Sequence, residues 1–578
     1  MISMKIRKLL LLALAFMVGL TLVLTGCDQT ANDKKAYSLK DQSSVTPRPF
    51  DKNVVPTSKY ENGYKYDPPV TVSVVRYYGP QVKFQPGENI DNNVWTKAYE
   101  EYCGIKLKSL WTVTDSTKFD LKITTSIATN TLPDIIPVYT TLFFRVADSG
   151  RFMNLKPYYD KYLDPTLKTS MEVANAGIAY KTCFRNNILA ALAAPTGKGG
   201  NMQWIRQDWL DKYNRPWPKN INESIDLMKF FCKKNPGAPA SPQTFAFPLP
   251  VTIATGFENA FGAYAKIWLD DGNGGLVRSD ISPKWKPVLQ ILSDMYADQY
   301  IDNDFALNAQ SVIDTQMTNQ QFGFMFGAKT APDGTLYNTI GYNPKAVWKS
   351  GLITDETGAP AKIGIGTRIG GFTGINVNSQ YPESVILLAN VYDDLMNGIG
   401  IEFRKYHDFK GTDGANYDSF FYPFIGWYYP PIDFPKVIAT AQKTKDFSKL
   451  TGEQLGILDK FKIWTENKDP YGWRLWAILT PGGSAETEQK IIDNNYLYPD
   501  RGWGPETQAW IDKGPDLYRK NDEAFALMVR GDKTIDEGFQ EWVDYFTNNG
   551  GTEATTEINA WWKTEGQAVF ASYFDAAP

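Results

Sequence analysis

Residues 70–139 alternate between strand and helix patterns, and no other feature limits the fold of this chain so tightly. VTVSVVRYYG (70–79) alternates apolar and polar positions and stops at Gly79-Pro80. DNNVWTKAYEEYC (91–103) sets Val94, Ala98 and Tyr102 on one helical face. IKLKSLW (105–111) reads as a second strand, FDLKITTSIAT (119–129) as a second helix, and PDIIPVY (133–139) as a third strand shortened by Pro137. The order βαβαβ implies parallel strands joined by right-handed crossovers. In open sheets of this kind, ligands lie beyond the carboxyl ends of the strands. Those ends carry Arg76, Tyr77 and Tyr78, then Trp111, then Tyr139 and Thr140.

The middle and end of the chain are mainly helical in pattern. Ser282-Pro283 reads as an N-cap followed by proline in the first turn. Val288, Ile291, Leu292, Met295 and Tyr296 then form an apolar stripe. A second stripe runs through Val385, Leu388, Ala389, Tyr392 and Leu395. Thr534 and Glu537 form a capping box ahead of Ile535, Phe539, Trp542, Val543 and Phe546. Stripes at helical spacing are what burial requires, so these residues are assigned to the core.

At the N-terminus, Lys5, Arg7 and Lys8 precede an apolar run over residues 9–24. A positive head, an apolar core and small residues before a cut are the layout of a secretory signal. The run approaches the lower length for a membrane-spanning helix, the alternative reading; its small-residue end favours cleavage. Leu24-Thr25-Gly26-Cys27 resembles the lipobox of bacterial lipoproteins. That implies removal of residues 1–26 and a diacylglyceryl group on the Cys27 thiol. Two acyl chains suffice for stable anchoring, at about 0.8 kcal/mol per buried methylene. The protein is then expected outside the cytoplasm, held to the outer face of the cell membrane. Residues 27–68, polar and rich in Lys, Asp, Ser and Pro, read as a flexible tether.

The chain carries 60 basic and 64 acidic residues; residues 1–26 hold three of the basic and none of the acidic ones, leaving 57 against 64. That balance argues against nucleic acid and against a broad anionic-membrane face. With Cys27 lipidated, Cys103, Cys183 and Cys232 remain, an odd number without a CxxC pattern, and they read as small buried hydrophobes. The one histidine, His407, lies in the polar KYHDFKGTDG stretch and reads as a surface loop. The GxSxG, GxxxxGK[ST] and GxGxxG motifs are missing, which removes the commonest hydrolase-elbow and phosphate-loop readings. Aromatics are plentiful (17 Trp, 32 Tyr, 32 Phe), and many Trp and Tyr sit in Gly- and Pro-rich loops that core packing explains less well.

Several segments, taken in order, resemble one family. WTKAYEEYCGIKLK resembles its helix ending in Glu-Glu-x-Thr-Gly-Ile, with Cys103 in place of the threonine. ITTSIATNTLPDII, WIRQDWLDKYNRPWPKNINESIDLMKFF, LQILSDMYADQYIDNDF, WGPETQAW and the stretch from DEAFALMVRGDKTIDEGFQEW to the end follow in the family's order. The chain is similar to the extracellular solute-binding lipoproteins of bacterial ABC importers, of the large oligosaccharide- and alginate-binding type (solute-binding protein family 1). The resemblance implies an α/β, two-lobed periplasmic-binding-protein type II fold, with mixed sheets flanked by helices and a hinged cleft. It places the lobes at 69–195 with 356–400, and at 196–355 with 401–578. It implies an oligosaccharide ligand, permease transmembrane subunits as partners, a monomer, no cofactor and no catalysis. A glycoside hydrolase or lyase, and a surface sensor lipoprotein, are the alternatives.

The sequence departs from the family at one place. Where many relatives carry a calcium loop, KKNPGAPASPQTFAFPL (233–249) has no carboxylate, so no metal is expected there. DDGNGG (270–275) lacks an EF-hand's distal glutamate and reads as a surface turn. A sugar offers apolar C–H faces and a rim of hydroxyls, which aromatic plates and polar side chains match. The candidate ligand-binding residues are Tyr77 and Tyr139 from the strand ends, Trp204 and Arg206 past the first lobe crossing, and Trp268 before a polar turn. Arg368 in a Gly-rich loop, Trp427 and Tyr428 in FIGWYYPP, and Trp473 complete the set.

Overall fold

The computed structural model describes residues 48–77, 84–114, 116–173, 178–185, 187–195, 199–366, 369–397, 434–448, 450, 452–504 and 507–571. The expected βαβαβ unit is present: β1 (Val70–Tyr77), α1 (Val94–Cys103), β2 (Ile105–Val113), α2 (Ser116–Ala128) and β3 (Ile135–Val138). The chain continues through α3 (Thr140–Asp148), β4 (Ala191–Pro195), β5 (Met202–Arg206), β6 (Trp268–Asp270), β7 (Leu276–Arg278) and α4 (Trp285–Ala297). β8 (Phe324–Gly327), β9 (Trp348–Gly351), β10 (Ile363–Ile365), β11 (Ile369–Ile375) and α5 (Ser384–Asn397) follow. Near the end come α6 (Pro470–Leu479), β12 (Leu497–Pro499), α7 (Gln508–Val529) and α8 (Ile535–Phe546).

Two sheets anchor two cores. The first has strand order β2-β1-β3-β11-β4. β1 runs parallel to β2, from Val70 opposite Ile105 to Tyr77 opposite Val113, and parallel to β3. β11 is antiparallel to β3 and β4. Its core gathers Val72, Val74, Trp95, Ile136, Phe143, Phe372 and Leu388. The second sheet, β8-β5-β9, is antiparallel throughout. Its core gathers Ile205, Trp209, Phe231, Trp285, Leu292, Phe324 and Trp542. The chain leaves the first sheet at Pro195 and enters the second at Met202.

Three expectations need correction. Residues 48–68 are not tether: strands Val54–Pro56 and Tyr64–Tyr66 form a hairpin, and buried Tyr60 and Tyr66 join the first core. The Tyr66 hydroxyl donates to Glu383 at 2.8 Å, and so ties the hairpin to the start of α5. Segment 356–365, expected with the first lobe, packs with the second, because Ala361 and Ile363 lie in its core. The return therefore falls between Ile365 and Ile369. On α1 the buried face is Trp95, Ala98, Tyr99 and Cys103, not the face of Val94 and Tyr102. Trp95, fully buried, sets that rotation by packing 5.6 Å from the Tyr392 ring on α5.

The start of α4 also shifts: its N-cap is Lys284, and Ser282 instead closes the preceding short turn, while the other core assignments hold in large part. Val288, Leu292 and Met295 are buried on α4, and Val385, Leu388, Ala389, Tyr392 and Leu395 are buried on α5. Thr534 caps α8 by accepting from the Glu537 amide. DDGNGG is the exposed turn of the β6–β7 hairpin, where Asp271 accepts from the Asn273 and Gly275 amides. Cys103 and Cys183 are buried free thiols, and Cys232 is half-buried and free.

Candidate functional site

Three successive strand ends of the first lobe meet in one wall. β1 ends at half-buried Tyr77, next to buried Arg76. Trp111 lies near the end of β2, the edge strand. Tyr139 follows β3 with extended backbone and takes the N-cap position of α3, which no side chain caps. Phe119, buried on α2, joins them: its ring lies edge-on at 5.5 Å from Trp111 and 6.0 Å from Tyr139. The Lys122 ammonium lies 4.8 Å over the Trp111 ring. A pocket of about 300 Å³ lined by Leu110, Trp111, Lys122, Thr125, Ser126 and Thr131 extends this wall along the sheet edge.

Asp120 supplies the charge. It follows Phe119 in the first turns of α2, and its Oδ1 is sealed from solvent with no hydrogen-bond partner. Burial raises this carboxyl above the ordinary aspartate range. Tyr139 is pushed up to about 12, by burial first, then by Tyr77 and by the Asp120 charge. The half-buried rings of Tyr77, Trp111 and Tyr139 offer flat apolar faces, which suit the C–H faces of a sugar.

The wall abuts the lobe crossing. Thr140 Oγ1 donates to the Ile369 carbonyl at 2.9 Å, at the first residue of β11. Five residues earlier on the same segment, Gly364 lies against Tyr264, where a Cβ would come within 2.9 Å of the ring. Tyr264 stacks on Tyr498 with centroids 4.9 Å apart. At about 3.3 Å per residue, five residues span at most roughly 17 Å, so one short segment touches the first-lobe wall and the second-lobe tyrosine pair.

The other crossing is held by polar contacts. Asn201 donates to the Thr255 carbonyl at 2.7 Å. Gly256, at φ 110°, packs on Asn201, and a Cβ there would approach the Asn201 Cβ to 2.8 Å. The buried Glu258 carboxylate accepts from the Gly256 amide at 2.8 Å and the Thr255 amide at 3.2 Å. Burial raises Glu258 to about 7. Lys329 pairs with Glu488, whose side chain covers Gly199.

The remaining candidates fall elsewhere. Trp204 and Arg206 are both 1% exposed. Trp204 packs in a cluster with Met202, Trp348, Trp464 and Trp473, so Trp473 is interior as well. Arg206 stands at the end of β5 away from the crossing, bound to Asp208 at 2.8 and 2.6 Å and to Gln320 at 2.9 Å. Trp268 is 6% exposed, edge-on to Trp510 and under the Arg278 guanidinium. Arg368, Trp427, Tyr428, His407 and Cys27 lie outside the described residues.

Sequence reading missed Phe119 and the Tyr264–Tyr498 pair. The strand-end rule that selects Tyr77 and Tyr139 applies equally to the turn between β2 and α2, and following it past Trp111 leads to Phe119 and Asp120. Among the described residues no group of three or more His, Cys, Asp or Glu side chains forms a metal cluster. No described helix is long and apolar enough to cross a membrane.

No family model matches the chain. It is 22% identical over 264 residues to the polygalacturonan/rhamnogalacturonan-binding protein YtcQ of Bacillus subtilis (strain 168), covering 44% of this chain and 49% of that protein. The chain thus aligns with about half the length of this curated relative. Solved structures match over more of it. Alginate-binding protein AlgQ2 without calcium ion superposes with a TM-score of 0.58 at 15% identity, covering 86% of this chain and 98% of the other. An HMO-binding ABC-transporter-associated solute-binding protein from Bifidobacterium longum infantis gives 0.59 at 14% identity, over 86% and 99%. The Streptococcus pneumoniae (S.pneumoniae) ABC-transporter substrate-binding protein FusA, in complex with fructo-nystose, gives 0.54 at 15%, over 86% and 100%. The chain has the fold of these proteins: the two-lobed, mixed α/β architecture of ABC-transporter solute-binding proteins.

Proposed function

We propose that the protein is the extracytoplasmic substrate-binding component of an ABC importer, which captures an oligosaccharide between its lobes and delivers it intact to the permease. One observation carries this reading: three adjacent strand ends carry Tyr77, Trp111 and Tyr139, and the Phe119 ring joins Trp111 to Tyr139 in an aromatic wall where open sheets take ligands. Sugar C–H faces suit such rings. The wall touches the crossing segment at Ile369, so hinge closure brings the second lobe over a ligand seated there. The similar proteins are named for binding alginate, HMO, fructo-nystose and pectic polymers, none for cleaving them. The lipobox-like Leu24-Thr25-Gly26-Cys27 supports an acyl anchor at Cys27 that keeps a monomeric receptor beside the permease transmembrane subunits.

The test is titration calorimetry of the chain from residue 28 onward against plant, algal and microbial oligosaccharides, with chromatography of each ligand afterwards. Saturable binding of one glycan class with full recovery of unbroken ligand is expected. Binding of peptides and of no glycan would overturn the proposal. Release of new reducing ends would replace it with a glycan-active enzyme.

A further inference from the structure

We infer that the pocket beside the edge strand is a distal sugar subsite, which seats a residue of the oligosaccharide that continues past the aromatic wall, so that the protein prefers longer chains. This deepens the carbohydrate reading above and rests on it. Trp111 belongs to both places. Its indole joins the wall through the Phe119 ring at 5.5 Å, and it also lines the pocket. The volume of about 300 Å³ is that of a small ligand pocket. The pocket is open to a ligand, because Leu110, Lys122, Thr125 and Thr131 on its rim are exposed.

A nearly buried hydroxyl lines this opening. On α2, Thr124 and Thr125 each donate to the carbonyl four residues back, at 2.9 Å. Ser126, next in the helix and 5% exposed, makes no such bond, and its side chain has no hydrogen-bond partner among the described residues. Its oxygen is not among the atoms sealed from solvent, and Ser126 lines the pocket. A hydroxyl both donates and accepts, as the rim of a sugar does. A ligand hydroxyl that completes the bond removes the cost of leaving it unmade in a largely dehydrated place. Lys122 reaches over the Trp111 ring at 4.8 Å and brings three more donors. Of the six lining residues, Lys122 is the charged one. Asp120, and buried Arg76 on β1 opposite Thr112, do not line the pocket. No carboxylate stands in it, and the residue it takes is defined by a ring face and hydroxyls.

The experiment measures Kd by calorimetry for cello-, manno-, galacto- and galacturono-oligosaccharide ladders, each from disaccharide to hexasaccharide. The wild-type chain is compared with Thr125→Trp, which fills the pocket from its exposed rim, and with Ser126→Ala, which removes the open hydroxyl. In at least one ladder the wild-type affinity is expected to climb with length and to gain about 10-fold over the later steps. Thr125→Trp is expected to lose that gain while it binds the shortest bound member within about 2-fold of wild type, and Ser126→Ala to lose about 3- to 5-fold of the gain. Wild-type affinity that is flat with length in every ladder that binds would overturn the inference and leave the carbohydrate reading standing. So would a folded Thr125→Trp protein that keeps the gain, or one that loses the same factor at every length. Binding of no member of any ladder would remove the inference and the carbohydrate reading together. If Thr125→Trp fails to fold, Ser126→Ala decides: an unchanged gain in that variant overturns the inference.

Discussion

Replacing Trp268 by alanine separates a ligand plate from a core residue. The indole is 6% exposed. Its ring meets Trp510 edge-on at 5.7 Å and the Arg278 guanidinium at 5.3 Å. Gly502 lies so close that a Cβ there would stand 2.2 Å from the indole. Truncation removes these contacts and leaves a void that a rigid neighbourhood cannot close. Trp→Ala changes of this kind cost about 3–5 kcal/mol. At roughly 2–4 °C per kcal/mol for a unit of this size, melting should fall by about 6–20 °C. Scanning calorimetry and urea unfolding read the stability, and titration at 15 °C reads glycan affinity while the variant is folded. Affinity is expected to stay within about 3-fold, because Trp268 does not belong to the Tyr77–Trp111–Tyr139 wall. A variant that melts within about 2 °C of the parent and loses glycan binding would refute this placement and return Trp268 to the cleft.

Tyr139→Ala should weaken glycan binding about 10- to 30-fold, as truncation of a central aromatic contact does, with unbroken ligand in both proteins; an unchanged Kd by calorimetry would count against the wall. Asp280→Asn should cost about 3 kcal/mol in urea unfolding, because Arg278, 1% exposed and bound at 3.1 and 2.9 Å, loses its ion-pair partner and keeps only the Lys266 carbonyl and the more remote Asp500 charge. Glu258 is raised to about 7 by burial, so between its ordinary value and 7 the folded chain holds more protons than the unfolded one. Its contribution to stability is full below about pH 4.5 and is lost as pH rises through 7. Glu258→Gln should flatten that part of the profile by a few kcal/mol, on the order of 1.4 per pH unit, and unfolding free energies measured from pH 4.5 to 7.5 check it.

The βαβαβ unit was legible because its signals are local: alternation in β1 and β2, and a proline that shortens β3. The hairpin at 54–66 was not. Its strands are three residues long, and Tyr66 is held by Glu383, more than 300 residues away in the chain. The rotation of α1 depends likewise on Tyr392, which no window around residue 95 contains. Tyr77 and Tyr139 could be named from the strand-end rule, which is a property of topology. Phe119 could not be told from the other phenylalanines by type, since its distinction is a ring set between Trp111 and Tyr139. Trp204, Arg206 and Trp268 misled for a shared reason. An aromatic or arginine beside a polar turn has the composition of a binding loop, whereas Arg206 is bound by Asp208 two residues on and by Gln320 from beyond β7.

A crystal structure of the protein with a bound oligosaccharide tests the central claim most directly. An unbroken glycan is expected between the lobes, with one ring against Tyr139 or Tyr77. A glycan seated away from these strand ends, or one found cleaved, would contradict it.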